Sequence, residues 1–227
     1  MRIVCVYTTQ YEESVRVANR CVNSAKEFNY DVELYPSVFW KDMDSVHKKY
    51  NLKKKYKPTV GSSTHTKTTC PAFRMANGTT HYLIYKWSIE NQKSVCITEH
   101  DSIFVGEIPR AKVNGVIQIS SHFDKQAGKD EIHRCHRANK MRKYQPDFKF
   151  IWDDTKEIIK HPLTGMNGTS GYIIHPGAAK KMIEYIERDG IANADRIRTQ
   201  WIGEGNLYLQ VPQSVLCYHD VKSARLG

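Results

Sequence analysis

The first forty residues constrain the fold more than any other stretch. Ile3 to Thr8 is a short, largely apolar run that reads as a strand, and after a turn at Gln10 the period changes. Val15, Ala18, Val22 and Ala25 recur at helical spacing in a helix expected from Glu12 to about Phe28. Asp31 to Val38, with Val32, Leu34 and Val38 apolar, reads as a second strand. A strand, a crossover helix and another strand form a βαβ unit, which implies a parallel sheet and an α/β fold of Rossmann-like rhythm. The opening lacks a Gly-x-Gly-x-x-Gly fingerprint, so the unit does not read as a dinucleotide site.

From Lys48 to Ala76 the chain is basic and polar, and Pro58, Gly61, Ser62, Ser63 and a threonine-rich run to Thr69 predict a long surface loop. A helix is expected from about Thr79 to Asn91, with Leu83, Ile84, Trp87 and Ile89 on its apolar face, leading directly into a strand at Val95. Pro109 to Asn114 approaches another strand at Gly115 to Ser121. Phe123 to Thr164 shows little period beyond a short strand at Phe148 to Trp152. Gly168 opens a strand through glycines, and Pro176 starts a helix running from Gly177 to Glu187, buried on Ala178, Ala179, Met182, Ile183 and Ile186, with Gly190 past its end. Strands at Leu207 to Val211 and Val215 to Tyr218 follow. The 227 residues suit one domain, 1–227, carrying a basic loop at 48–76 and a basic insertion at 123–164.

The strand at Val95 stops abruptly at Glu99-His100-Asp101. In an extended segment, side chains at i and i+2 point to the same side, so Glu99 and Asp101 converge on one hard cation while His100 faces the other way. A divalent metal there would hold a diphosphate. The tripeptide alone equally permits a solvated acidic turn. An open α/β sheet receives a nucleotide at the carboxyl ends of its strands, which draws in Tyr7, Thr8 and Thr9 at the tip of the first strand. Tyr7 would stack on a base; strand-end packing is the other reading.

Composition narrows the partners. Hydrophobic residues make up 40% and charged residues 26% of the chain, as in a soluble globular protein, and no apolar stretch approaches membrane-spanning length. The N-terminus does not read as a signal peptide. The net charge of +10 attracts phosphate-rich partners. Much of it falls in two stretches without acids: one holds Lys48, Lys49, Lys53, Lys54, Lys55 and Lys57, the other Arg134, Arg137, Lys140, Arg142 and Lys143. The candidate nucleic-acid contacts are Lys53, Lys54, Lys55, Arg134, Arg137, Lys140, Arg142 and Lys143; solvated loop charges are the alternative. Six scattered cysteines with no Cys-x-x-Cys pair favour free thiols in a reducing compartment, the cytoplasm, or the host cytoplasm for a phage-encoded chain. On that reading the sequons at Asn77 and Asn167 are accidental. His133-Arg-Cys-His136 lacks the matching ligand pair that a structural zinc needs.

Three blocks occur in order: Gly78-Thr-Thr-His-Tyr-Leu-Ile-Tyr-Lys-Trp, Val95-Cys-Ile-Thr-Glu-His-Asp-Ser-Ile-Phe, and Gly168-Thr-Ser-Gly-Tyr-Ile-Ile-His-Pro-Gly-Ala-Ala-Lys-Lys-Met. Over roughly residues 78 to 200 they resemble glycosyltransferase family 25 and its relatives, the lipooligosaccharide and collagen sugar transferases. The departures are Thr80 where that family usually has serine, His100 in place of a middle acid, and Ser170-Gly171 at the small positions before Tyr172. The resemblance implies a GT-A-like mixed sheet flanked by helices, a nucleotide-sugar donor such as a UDP-sugar, and manganese or magnesium on Glu99 and Asp101. GT-A proteins often add a ligand near the C-terminus, for which His219 is the candidate and Asp220 its rival. His81 matches a recurrent family position and reads as a polar contact to the acidic strand or as a donor-phosphate contact. Asp195 matches a later acidic position; single displacement needs a carboxylate to take the acceptor's proton, so Asp195, with Glu204 behind it, is the candidate base. Joined to the basic stretches, this points to sugar transfer onto hydroxymethylated bases of phage DNA. Transfer to a glycan or lipooligosaccharide at the inner membrane and a non-catalytic nucleic-acid-binding protein on a transferase fold are the alternatives. No obligate protein partner is evident.

Overall fold

A computed structural model of the chain describes residues 1–60, 68–110, 113, 115–123, 157–160, 170–194, 207–211 and 214–218. The opening βαβ unit forms as expected, with β1 (Arg2–Tyr7), α1 (Glu12–Lys26) and β2 (Glu33–Pro36). β1 and β2 run parallel, pairing from Val4 opposite Glu33 to Tyr7 opposite Pro36. Then come α2 (Met43–Tyr50), β3 (Lys57–Thr59), β4 (Thr69–Pro71), α3 (Ala72–Asn91) and β5 (Val95–Glu99). The second half supplies β6 (Ser102–Phe104), β7 (Val116–Gln118), β8 (Ser120–Phe123), β9 (Glu157–Lys160), β10 (Gly171–Ile174), α4 (Pro176–Asp189), β11 (Leu207–Val211) and β12 (Val215–Tyr218).

Among the described residues, seven strands form one mixed sheet in the order β2-β1-β5-β10-β7-β11-β9, beside a small sheet β6-β12-β8 and the pair β3-β4. β5 joins β1 in parallel and β10 in antiparallel orientation, so β10 is where the sheet becomes mixed. Both faces of the sheet are buried, because alternate strand residues serve two cores. Val4, Val6, Val95, Ile97, Tyr172 and Ile174 pack with the side chains of α3 and α4. Ile3, Cys5, Cys96, Ile117 and Ile173 pack with Ala18, Cys21 and Ala25 of α1 and with Phe104, Ile119 and Val215 from the region of the small sheet.

Three expectations change. The stretch from Lys48 to Ala76 is not one loop, since it holds the end of α2, both strands β3 and β4 and the start of α3; residues 61–67 lie outside the described ones. α3 begins at Ala72, two turns before Thr79, because Ala72, Met75 and Ala76 supply an apolar face that Gly78 and the neighbouring threonines disguise in the sequence. The single strand expected from Gly115 to Ser121 divides at Ile119. That residue's N–H donates to Gly171 and its carbonyl accepts from Ser214 and Val215, carrying the chain from the large sheet to the small one. The strand expected at Phe148 to Trp152 lies outside the described residues.

Candidate functional site

β1 leads through α1 to β2 on one flank, and the chain then returns through α3 to place β5 on the other flank of β1. The carboxyl ends of β1 and β5 therefore border the switch point of the sheet, the crevice in which an open α/β sheet takes its ligand. Glu99 is in register with Val6, one residue from the tip of β1. Tyr7-Thr8-Thr9, Ser37-Val38 and Glu99-His100-Asp101 thus leave the sheet along one edge.

The tips are tied together. The Thr8 N–H donates to Ser14 Oγ at 2.9 Å, and the Thr8 and Ser37 hydroxyls lie 3.3 Å apart. Ser37 N–H donates to the Tyr7 carbonyl at 2.7 Å, and Val38 N–H donates to Thr80 Oγ1 at 2.8 Å. Thr80 passes its own proton to the Ala76 carbonyl at 2.9 Å, so the threonine where serine was expected keeps the hydroxyl this position uses. Tyr7 is half-buried against the α1 side of the sheet, and Thr9 is exposed.

His100 and Asp101 form a tight turn between β5 and β6 instead of continuing the strand, so the extended i, i+2 premise does not hold there. The pair is placed by how the turn is anchored. One carbonyl, that of Ser170, accepts both the Glu99 N–H at 3.3 Å and the Ser102 hydroxyl at 2.6 Å, clamping the turn at its two ends. The small residues before Tyr172 follow from this, since a Cβ at Gly171 would lie 3.0 Å from Ser120 Cβ and 3.2 Å from Val215 Cγ1. Glu99 follows the parity of Val95 and Ile97 toward α3, where Asn77 Nδ2 donates to Glu99 Oε1 at 3.5 Å. On the other side Cys217 of β12 stands opposite Ser102 in the ladder, and its thiol is hydrogen-bonded to Asp101. Burial pushes that thiol well up, and the negative charge of Asp101 adds to the effect.

Two carboxylates on the switch-point edge give hard oxygen ligands. Magnesium-type sites characteristically use one or two protein carboxylates completed by substrate phosphates and water, which is the donor chemistry that Glu99 and Asp101 offer. Among the described residues no group of three or more histidine, cysteine, aspartate or glutamate side chains is disposed to hold a metal. His219, Asp195 and Glu204 lie outside the described residues. Ala194, the last described residue before Asp195, is 2% exposed, and its nitrogen would lie 3.3 Å from a Cβ at Gly78.

His81 does not line the edge. It is 1% exposed, stacked on Tyr172 with ring centroids 5.8 Å apart, and its Nδ1 lies 2.6 Å from the Tyr172 hydroxyl, which also lies 2.6 Å from that of Tyr85. The ring belongs to a polar network inside the core, with Tyr172 of β10 and Tyr85 of α3. The first basic stretch is also partly absorbed. Lys54 Nζ pairs with Asp44 at 2.6 Å, Lys55 Nζ lies 3.8 Å from Asp189 and over the Tyr185 ring, and Lys53 is exposed. Backbone bonds from Lys55 N–H to the Ile191 carbonyl and from Ile191 N–H to the Lys53 carbonyl hold this segment against the end of α4. Lys54 and Lys55 are thus partly engaged by acidic partners within the chain. Arg134, Arg137, Lys140, Arg142 and Lys143 lie outside the described residues.

Asn77, Ser170 and Cys217 were not among the expected site residues. Asn77 had only an accidental sequon to mark it, yet it stands one helical turn before Thr80. With α3 begun at Ala72, that spacing places both residues toward the sheet edge. No helix among the described residues is long and apolar enough to cross a membrane. The family model described as glycosyltransferase family 25 (LPS biosynthesis protein) matches residues 45–197, about two thirds of the chain. No individual curated protein matches it.

Proposed function

The chain belongs to glycosyltransferase family 25 and is a nucleotide-sugar-dependent glycosyltransferase, and from this premise we propose that it binds the donor diphosphate at the switch-point edge through a divalent cation on Glu99 and Asp101. The observation that carries this reading is the pair of carboxylates in the clamped turn beside the tip of β1. A bound manganese or magnesium ion supplies Lewis-acid compensation for the charge developing on the leaving diphosphate. Glu99 and Asp101 hold it, and His219 is the candidate third ligand. Tyr7 stacks on the base of the donor, a UDP-sugar, while Thr8 and Thr9 offer hydroxyls and backbone to its ribose and phosphates. Asp195 takes the proton of the attacking hydroxyl, with Glu204 as its alternative. Support for Asp195 comes from its chain neighbour Ala194, packed on Gly78 next to the Asn77 that contacts Glu99.

The acceptor is a glycan hydroxyl of the lipopolysaccharide kind, in keeping with the family's description. A hydroxymethylated base in phage DNA is the second reading, favoured by the net charge of +10. The buried free thiols favour a cytoplasmic setting.

A thermal-shift screen of nucleotide sugars with and without manganese identifies the donor, because a ligand of the folded state raises apparent stability. Transfer is then assayed on a lipooligosaccharide acceptor and on hydroxymethylcytosine duplex. The Glu99→Ala, Asp101→Ala double variant should lose transfer by at least ~100-fold while remaining folded. Unaltered turnover in it overturns the site, and transfer to the duplex alone decides for DNA.

A further inference from the structure

The two carboxylates of the acidic turn are each met by a side-chain donor from a different element. Asn77, on the second turn of α3, reaches Glu99 Oε1 from the helix side of the sheet at 3.5 Å. Cys217, on β12, reaches Asp101 from the small sheet, where it stands opposite Ser102 and is fully buried. The Ser170 clamp sets the backbone of the turn, whereas Asn77 and Cys217 act on the carboxylate groups themselves. A carboxylate has several lone pairs, so one engaged by a donor fixes the group's orientation and leaves the others available to a cation. Such outer partners set ligand orientation and tune metal affinity.

We propose that Asn77 and Cys217 are positioning residues that aim the Glu99 and Asp101 carboxylates at the shared cation. This rests on the reading of those two carboxylates as the metal ligands. A thiol suits the Asp101 side: it donates one weak hydrogen bond and is small enough to be fully buried there.

The test is direct manganese binding to the full chain with and without UDP, followed as free Mn²⁺ by electron paramagnetic resonance against a control of UDP alone, with transfer kinetics as a second readout. Asn77→Ala and Cys217→Ala should each weaken manganese binding by about tenfold. The manganese concentration for half-maximal rate should rise in parallel, with kcat at saturating manganese within about threefold of the parent. Cys217→Ser retains a donor in nearly the same volume, so it should bind manganese within about threefold of the parent, which a merely space-filling role would not distinguish from alanine. Circular dichroism and melting confirm that each variant is folded; if Cys217→Ala does not fold, Asn77→Ala and the serine variant carry the test. Should Glu99→Gln abolish manganese binding while Asn77→Ala and Cys217→Ala bind like the parent, the positioning role is overturned and the ligand reading stands. Should the parent bind no manganese even with UDP present, beyond what UDP alone binds, the ligand reading falls and this one with it.

Discussion

A Cβ at Gly78 would lie on top of the Ala192 carbonyl oxygen and 3.3 Å from the Ala194 nitrogen, backbone atoms that cannot rotate aside. In the middle of a helix, glycine normally costs about 1 kcal/mol relative to alanine, so propensity alone favours Gly78→Ala. Overpacking against a fixed backbone costs roughly 1–3 kcal/mol and here outweighs that gain. Gly78→Ala is expected to destabilise the protein by about 2 kcal/mol in urea unfolding; a stabilised variant would refute the close approach of α3 to the segment after α4. Because Ala194 precedes Asp195 and Gly78 follows Asn77, the same substitution should also reduce transfer. At this scale the outer carboxylates were legible from residue type and strand position, whereas His81 was not. A histidine in a family-like helix looks the same whether it faces a phosphate or Tyr172, and only the opposing strand decides.

Between elements, α2 and α3 are joined by a buried hydrogen bond that fixes a protonation state. Thr79 Oγ1 gives its single proton to the Met75 carbonyl at 3.0 Å, so at 2.8 Å it must accept from His47 Nε2. His47 Nδ1 is then a bare lone pair, buried without a partner among the described residues. Burial, and after it the positive charge of Lys54, lower the His47 pKa from 6.5 to about 4, with Asp44 opposing. A histidine depressed in the folded state binds its proton only when the chain unfolds, between pH 6.5 and about 4, so stability falls as pH drops through that window. Unfolding in urea at pH 7.5 and pH 5 should show a loss of about 2 kcal/mol attributable to this ring, read as the difference from His47→Gln. An equal pH slope in that variant would assign the effect to other groups. α2 itself escaped notice in the sequence because eight residues between basic and aromatic neighbours carry too short a period, and its stability comes from packing on α3.

Over the whole molecule, five of the six cysteines, Cys5, Cys21, Cys70, Cys96 and Cys217, are buried and unbridged. Burial pushes Cys96 and Cys217 further from the thiolate that reacts with disulfide reagents. Ellman's reagent should therefore modify at most one thiol promptly in the native protein, and all six in denaturant. Prompt reaction of three or more would mean that the packing on the α1 face opens readily.

The alternation of apolar residues and the βαβ rhythm determined the α/β class, the parallel start, and the strands β1, β5, β10, β11 and β12, since periodicity and turn residues act within a few positions of the chain. The three blocks determined the family, and the acids at the end of β5 marked the edge where its chemistry belongs. Which residues surround those acids was a tertiary matter. Ser170 lies 68 positions from Ser102 in the chain and Asn77 lies 22 from Glu99, and neither pairing leaves a local pattern. The same holds for the first basic stretch, where Lys54 and Lys55 meet Asp44 and Asp189 only because α2 and α4 converge on that segment. A local sequence pattern can state what a residue is able to contact, and long-range packing against α3, β10 and β12 decides what it does contact.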